Sequence, residues 1–191
     1  MEMEPVEVIE VSYEVKEEKY YDEDWQRQNR NWIFSKGIEG HFKVDLSELE
    51  KISEMFINGN RTSFQTEFKE NGHYDIKVII KDQKQYESPL FLFSGCSSLV
   101  KASFKNFKKP YIRNMTGLFD YCSNLESLDL DINTSNVEDM TGMLCECKKL
   151  KEIKGISQFN TEKVTNMFSM FSKCFTLESL ELNFNTSNVE D

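Results

Sequence analysis

Apolar residues recur through residues 89–191 in columns that are spaced by about 26 residues. One column holds only cysteines, at steps of 26, 25 and 27 residues: Cys96, Cys122, Cys147 and Cys174. Columns of leucine, phenylalanine, methionine and valine drift by the same one-residue steps, and the phrase NTSNVED occurs at both 133–139 and 185–191. Columns that drift together predict about four copies of one repeat, with a length in the range of leucine-rich repeats.

Each copy is predicted to contain a short helix followed by a short strand. Four apolar residues are spaced 3, 4 and 3 apart, as on one face of a helix: Val137, Met140, Leu144 and Cys147. Ser135 and Glu138 form a capping-box pattern at the start of this helix. Leu125, Leu128 and Leu130 follow the pattern LxxLxL, which ends in the period of a strand. One such copy cannot bury its apolar stripe alone, whereas stacked copies bury a continuous core.

The segments MTGLFDYCSNLESLDLDINTSNVEDM, at 115–140, and MFSMFSKCFTLESLELNFNTSNVED, at 167–191, resemble the repeat of BspA-type leucine-rich-repeat surface proteins. That repeat reads M-x-x-M-F-x-x-C-x-x-L-x-x-L-x-L-x-x-F-N-T-S-N-V-x-x-M, and the resemblance covers residues 89–191. The departures are a degraded first copy, from Pro89 to Pro110, and Leu144-Cys145 in place of Met-Phe. The resemblance implies a right-handed solenoid without catalytic activity that serves in adhesion and protein binding at cell surfaces.

The chain before the repeats is predicted to be a small β-rich cap. Residues 6–15, VEVIEVSYEV, alternate between polar and apolar positions, which predicts a strand. Helical spacing from Asp45 through Phe56 predicts a helix, and Asn71-Gly72 between two alternating segments predicts a hairpin at 62–81. The expected division is an acidic leader with a strand at 1–24, a small α+β capping region at 25–88 and about four repeats at 89–191, truncated at the C-terminus.

Together with the resemblance, these patterns predict the fold class. It is an α/β repeat, a leucine-rich-repeat-like right-handed solenoid behind a small N-terminal β-rich (α+β) cap. The cap is expected to cover the first coil, because an open solenoid end exposes apolar side chains.

Charge is unevenly spread along the chain. The formal charge is −10 at pH 7, and the first 24 residues hold ten acidic residues and two lysines. No basic patch that could neutralise phosphates occurs, so nucleic acid is not an expected partner. No apolar run approaches the roughly 20 residues of a membrane helix, so no membrane span is expected in this chain. The N-terminus lacks a signal-peptide pattern, which favours a cytoplasmic, reducing compartment, whereas the resemblance implies the cell surface.

Candidate chemistry is sparse in this sequence. The cysteine column is expected to hold buried apolar thiols, because it lacks the ligand spacing of zinc sites. Cys145 stands outside the column and is a candidate for an exposed thiol. His41 and His73 are tied to no nucleophile motif, and no phosphate-binding glycine loop occurs. We therefore expect no catalytic residue, no cofactor and no metal site; an enzyme with a site in the N-terminal region remains an alternative.

The solvent-facing positions of the predicted strands are the candidate partner-binding surface. With the leucines inward, the intervening residues line one face: Lys101, Ser103, Ser127, Asp129, Glu152, Lys154, Ser179 and Glu181. This surface has mixed charge and no aromatic anchor of the kind enriched at hot spots. Four strands at about 4.8 Å spacing span about 14 Å, whereas a standard interface needs a patch about 28 Å across. The strand array is therefore predicted to be too narrow by itself.

Four Asn-x-Ser/Thr sequons can carry glycans if the protein is secreted: Asn60, Asn114, Asn133 and Asn185. The expected function is a non-enzymatic protein-interaction module of a BspA-like leucine-rich-repeat protein, with a protein partner and a role in adhesion or binding at a cell surface. An intracellular leucine-rich-repeat scaffold is the alternative that the missing signal-peptide pattern favours.

Overall fold

The computed structural model describes residues 6–16, 33–34, 46–65, 67–81, 93–108, 111–178 and 180–190. The strands in these ranges are β1 Glu7–Val15, β2 Ser53–Ile57, β3 Asn60–Thr62, β4 Gly72–Ile80, β5 Leu99–Phe107, β6 Ser127–Ile132 and β7 Glu152–Lys154. They form one mixed sheet in the order β3-β2-β4-β1-β5-β6-β7. Helix in the same ranges is limited to α1, Leu46–Ile52, and a 3-10 turn, Ile156–Gln158. Neither is long and apolar enough to cross a lipid bilayer.

β1 lies in the middle of the sheet, although its sequence belongs to the acidic leader. It pairs antiparallel with β4 on one side and antiparallel with β5 on the other. Its alternation places Ile9 and Tyr13 in the core and leaves Glu10 and Ser12 on the outer face. The Tyr13 hydroxyl donates a hydrogen bond of 2.5 Å to the carbonyl oxygen of Ile33. The leader strand therefore joins the N-terminal region to the first repeat through a shared core.

β4 is the second arm of the hairpin expected at 62–81, but its partners are β2 and β1. The tight turn lies at Asn58-Gly59, where φ is 49° and 79°, and it connects β2 to β3. The ring centroid of the buried Phe68 lies 4.2 Å from that of Tyr74 and 5.0 Å from that of Tyr13. The apolar residue Phe68 therefore packs its ring against aromatic side chains of β4 and β1.

The helix expected from Asp45 through Phe56 is shorter than predicted. α1 ends at Ile52, and the chain continues as β2. β2 buries Met55 and leaves Phe56 half-exposed, paired across the sheet with Lys77 of β4. Strand pairing prevails here because β2 also alternates with the period of two that a half-buried strand requires.

In the repeat region, residues one repeat length apart lie side by side. β5 pairs in parallel with β6, and β6 with β7, which aligns Ala102, Leu128 and Ile153 across the sheet. Further along each copy, parallel bridges join Asn114 to Asp139 and Asp139 to Asn166. The column residues of the second and third copies have 0% exposure: Met115, Phe119, Cys122, Leu125, Met140, Leu144, Cys147 and Leu150.

The predicted helices of the repeats are wrong in the described residues, and the expected α/β repeat is a mostly β structure. Tight turns occupy residues 116–121, 141–146 and 168–173. Each turn contains two residues with left-handed φ, between 55° and 62°: Gly117 and Tyr121, Gly142 and Glu146, Ser169 and Lys173. A right-handed helix does not accommodate such residues without a steric cost. The 3-4-3 apolar spacing is therefore produced by consecutive tight turns.

The backbone hydrogen bonds explain why turns replace the helix. The amides of Gly117 and Phe119 donate to carbonyl oxygens of the next copy, at Thr141 and Met143, over 2.9 Å. An α-helix directs its amides to its own carbonyls, so it cannot also make this ladder. Ser135 caps no helix, since its amide donates to the Oδ1 atom of Asn133 at 3.0 Å in an Asx turn.

The cysteine column contributes hydrogen bonds as well as apolar surface. The thiols of Cys122, Cys147 and Cys174 donate to backbone carbonyls of the preceding copy at 3.0, 3.1 and 3.2 Å. Burial raises the pKa of Cys122 and Cys147 well above its usual range and that of Cys174 to about 11. The thiols are therefore held protonated, as hydrogen-bond donation requires.

Candidate interaction face of the sheet

Alternation along the strands gives the sheet a polar outer face. Six of the eight residues singled out in the sequence lie on it: Lys101 and Ser103 on β5, Ser127 and Asp129 on β6, Glu152 and Lys154 on β7. Ser179 lies outside the described residues, and Glu181 is exposed in a segment with no assigned strand. The structure therefore brings six predicted residues onto one surface.

The N-terminal strands extend this outer face. An open trough of about 610 Å³ crosses the sheet from β2 to β7. Its lining includes Glu10 and Ser12 of β1, Lys77 and Ile79 of β4, and Phe56 of β2, next to the repeat residues. Sequence reasoning missed these five residues, because their strands come from distant parts of the chain. For Glu10, Ser12 and Lys77 the signal was the polar positions that alternate with the buried ones in 6–15 and 72–80.

The complete sheet corrects the expected size of the surface. Seven strands at about 4.8 Å spacing span about 29 Å, twice the width of the predicted four-strand array. This width matches the patch of about 28 Å that a standard protein interface covers on each partner. Phe56 also supplies an aromatic side chain that the repeats lack on this face. The N-terminal strands therefore add the width and the aromatic side chain that the repeat strands by themselves lack.

Most charged groups of the N-terminal half of the face are paired. The Glu10 carboxylate lies 3.8 Å from Lys77 Nζ and accepts a hydrogen bond from Lys105. His73 bridges Glu14 at 2.6 Å and Asp75 at 3.2 Å. The hydrogen bond with Glu14, together with the charges of both carboxylates, raises the pKa of His73. His73 is thus occupied by two carboxylates, whereas His41 lies outside the described residues.

Two charged side chains of the repeat half stand without such partners. Lys101 and Asp129 are exposed, and neither forms an ion pair or hydrogen bond with any part of the chain that the structure describes. The hydrogen bond from Lys151 lowers the pKa of Glu126, and the charge of Lys101 adds to this effect at longer range. Among the residues that the structure describes, the centre of the trough therefore offers one free cation and one free anion.

A buried acidic pair lies on the turns of the repeats. Asp120 is 6% exposed and Glu146 is 5% exposed. Burial disfavours the charge of Glu146, but hydrogen bonds from Lys173 and Lys148 outweigh burial and lower its pKa. Burial raises the pKa of Asp120 to about 7 and that of Cys145 to about 11. The Cys145 thiol is therefore protonated at neutral pH, and a reactive thiolate is disfavoured.

The sequons differ in how accessible their amides are. Asn60 and Asn185 are exposed. Asn133 donates from Nδ2 to the carbonyl oxygen of Lys108 at 2.7 Å, so this nitrogen is engaged in a contact between copies. The Oδ1 atom of Asn114 accepts a hydrogen bond of 2.7 Å from the Thr116 amide. Among the described residues, no cluster of three or more His, Cys, Asp or Glu side chains is placed to hold a metal ion.

Comparison with known proteins identifies the repeat region. Residues 87–191 match the family described as Mycoplasma protein of unknown function, DUF285. Because this match covers more than half of the chain, the chain belongs to that family. No curated protein sequence and no solved structure matches the chain.

Proposed function

We propose that the chain is a non-enzymatic protein-interaction module whose outer sheet face binds a protein partner. The observation that carries this proposal is the continuous face of seven strands, about 29 Å wide. Phe56 and Ile79 supply apolar contact at one side of the trough, and mixed charges fill the rest. An aromatic anchor beside polar groups is the composition found at protein interfaces.

The proposal includes the architecture and the setting of the repeats. The parallel bonds between copies support a right-handed, leucine-rich-repeat-like solenoid. The resemblance to BspA-type proteins supports adhesion or binding at a cell surface. Exposed Asn60 and Asn185 are compatible with glycans in that setting.

Absence of catalysis is also part of the proposal. Two features of the described residues support it. The His73 ring is held between Glu14 and Asp75, and burial raises the pKa of the Cys122 and Cys145 thiols, so neither group offers a nucleophile with an adjacent free base.

Site-specific photocrosslinking in the source cells tests the proposal. A photoreactive phenylalanine analogue replaces Lys77 or Lys154 on the face, or, as matched controls, the exposed residues Lys163 or Glu190, which do not line the trough. We expect the same protein adduct from both face positions and none from the controls. Adducts that form equally from the controls, or no adduct from any position, would overturn the proposal.

A further inference from the structure

The two free charges at the centre of the trough have a defined spacing. Lys101 on β5 pairs in register with Ser127 on β6, and Ser103 pairs with Asp129. Lys101 and Asp129 are therefore diagonal neighbours, separated by one strand spacing and two residues along the strand. This geometry places their Cβ atoms about 8 Å apart.

The other charged side chains that line the trough are already engaged. Glu10 is paired with Lys77 and Lys105, Asp75 accepts a hydrogen bond of 2.6 Å from Ser12, and Glu152 lies 3.5 Å from Lys154. Within the described residues, only Lys101 and Asp129 lack a partner among these lining charges. A partner can satisfy them without displacing an existing ion pair.

The neighbours of the two charges leave room for such a partner. Ser12 and Ser127 flank Lys101 in register, and Ser103 stands beside Asp129 on β5. These side chains are short, so an incoming segment can reach both charges. On its other side Asp129 faces Lys154, whose ammonium forms its ion pair with Glu152 instead.

We infer that the trough takes an extended polypeptide segment that carries one acidic and one basic side chain two residues apart. Side chains at i and i+2 of an extended chain point to the same side and lie about 6.8 Å apart, close to the spacing of Lys101 and Asp129. The acidic side chain contacts Lys101, and the basic one contacts Asp129. Nucleic acid offers charges of one sign only, so the charge pair selects a polypeptide. This inference rests on the proposed function, because it names the partner chemistry of the same face.

Three blocked synthetic peptides test the charge pattern against the full chain: TVETKVT, TVETEVT and TVKTKVT. Wild-type protein is expected to bind the mixed-charge peptide at least about threefold more tightly than either like-charge peptide, as follows from the worth of an exposed ion pair. Lys101→Glu should shift the preference to TVKTKVT, and Asp129→Lys should shift it to TVETEVT. The double variant, Lys101→Glu with Asp129→Lys, should restore the preference for the mixed peptide. Lys163→Glu, on an exposed turn, is the control and should change nothing.

The outcomes separate this inference from the proposed function. Equal affinity of wild-type protein for all three peptides, or a preference that the reversals leave unchanged, overturns the inference. If the face still gives its crosslinked adduct in that case, the interaction face stands and only the charge pattern of its partner is wrong. If the adduct is also missing, both proposals fail. Unchanged melting temperatures of the surface variants exclude unfolding as the cause.

Discussion

The two halves of the sheet differ in how far apart along the chain their paired strands lie. In the antiparallel half, β1 pairs with β4, so Ile9 lies beside Val78. In the parallel half, each strand pairs with the strand of the next copy, as in the alignment of Leu128 with Ile153. Paired residues of the parallel half are separated by a nearly constant number of positions, so similar residues recur as columns in the sequence. The antiparallel half has no such constant separation and leaves no columns. Both halves nevertheless share one core, since Ile9 also pairs with Phe104 of β5.

The largest expected effect comes from removing the contact between the halves. Ile9 has 0% exposure on the central strand. Ile9→Ala leaves a cavity there and should lower the free energy of unfolding by about 2–5 kcal/mol. If the sheet unfolds as one unit, native-state hydrogen exchange should show that amides of β4 and β6 lose the same amount of protection.

Val8→Ala is the matched control, because Val8 lies on the outer face of the same strand and is half-buried. It should cost less than about 1 kcal/mol. Protection of β6 that survives Ile9→Ala unchanged would show that the two halves are independent units.

A smaller effect, confined to the repeat half, concerns the pH dependence of stability. The pKa of Asp120 is raised by burial from 3.8 to about 7, so the folded state binds this proton more tightly than the unfolded state. Stability from this group is fully present below pH 3.8 and is lost as the pH rises to about 7. Asp120→Asn should remove this fall and raise stability at pH 8 by up to about 4 kcal/mol.

Denaturant titrations between pH 4 and pH 8 measure this difference. His73→Gln is the comparison in the antiparallel half. The raised pKa of His73 gives stability that is present below about pH 6.5 and is lost as the pH rises through the raised value. Its exposure keeps the contribution small. An Asp120→Asn variant with the same pH profile as wild type would contradict the assignment.

The smallest effect tests the turn that replaces the helix. Gly142 has φ of 57°, and an added Cβ would meet Cys145 Cβ at an ordinary 3.8 Å. Gly142→Ala should therefore cost about 1 kcal/mol from conformation alone. Ser169 occupies the same position in the next copy with φ of 55°, so Ser169→Gly should stabilise the chain by a similar amount. Thermal unfolding followed by circular dichroism measures both; a gain of helical signal in Gly142→Ala would contradict the turn.

The repeat half was largely predictable, because the residues that pack side by side in it occupy equivalent positions of successive copies and are of similar type. The columns of Cys122 and Leu125 were expected to face inward, and both are fully buried. The residues between the leucines were expected to face outward, and Ser127 and Asp129 line the trough. The helix was mispredicted because a 3-4-3 spacing fits a helix and a pair of tight turns equally well. Only the position of the hydrogen-bond acceptors separates the two structures.

The outer face of the sheet was predictable only in its repeat part. Lys101 and Asp129 could be placed from the register of the leucines, but the contribution of Phe56 could not. Phe56 follows a helical spacing that continues α1. No local sequence pattern indicates that Lys77 is its cross-strand neighbour. The width of the face depends on such long-range pairings, and they leave no local signal.

The sequence by itself determined the repeat length, the inward columns and the polar face of each strand, because side-chain alternation and burial follow directly from local order. The tertiary structure alone decided two further features. It set β1 between β4 and β5, which turns a narrow array into a seven-stranded sheet. It also placed a row of carbonyls opposite the amides of Gly117 and Phe119, so that bonds to the next copy replaced those of a helix. Both features depend on which chain segment lies alongside. The sequence does not show this, because the backbone amides and carbonyls that pair are chemically the same in every residue except proline.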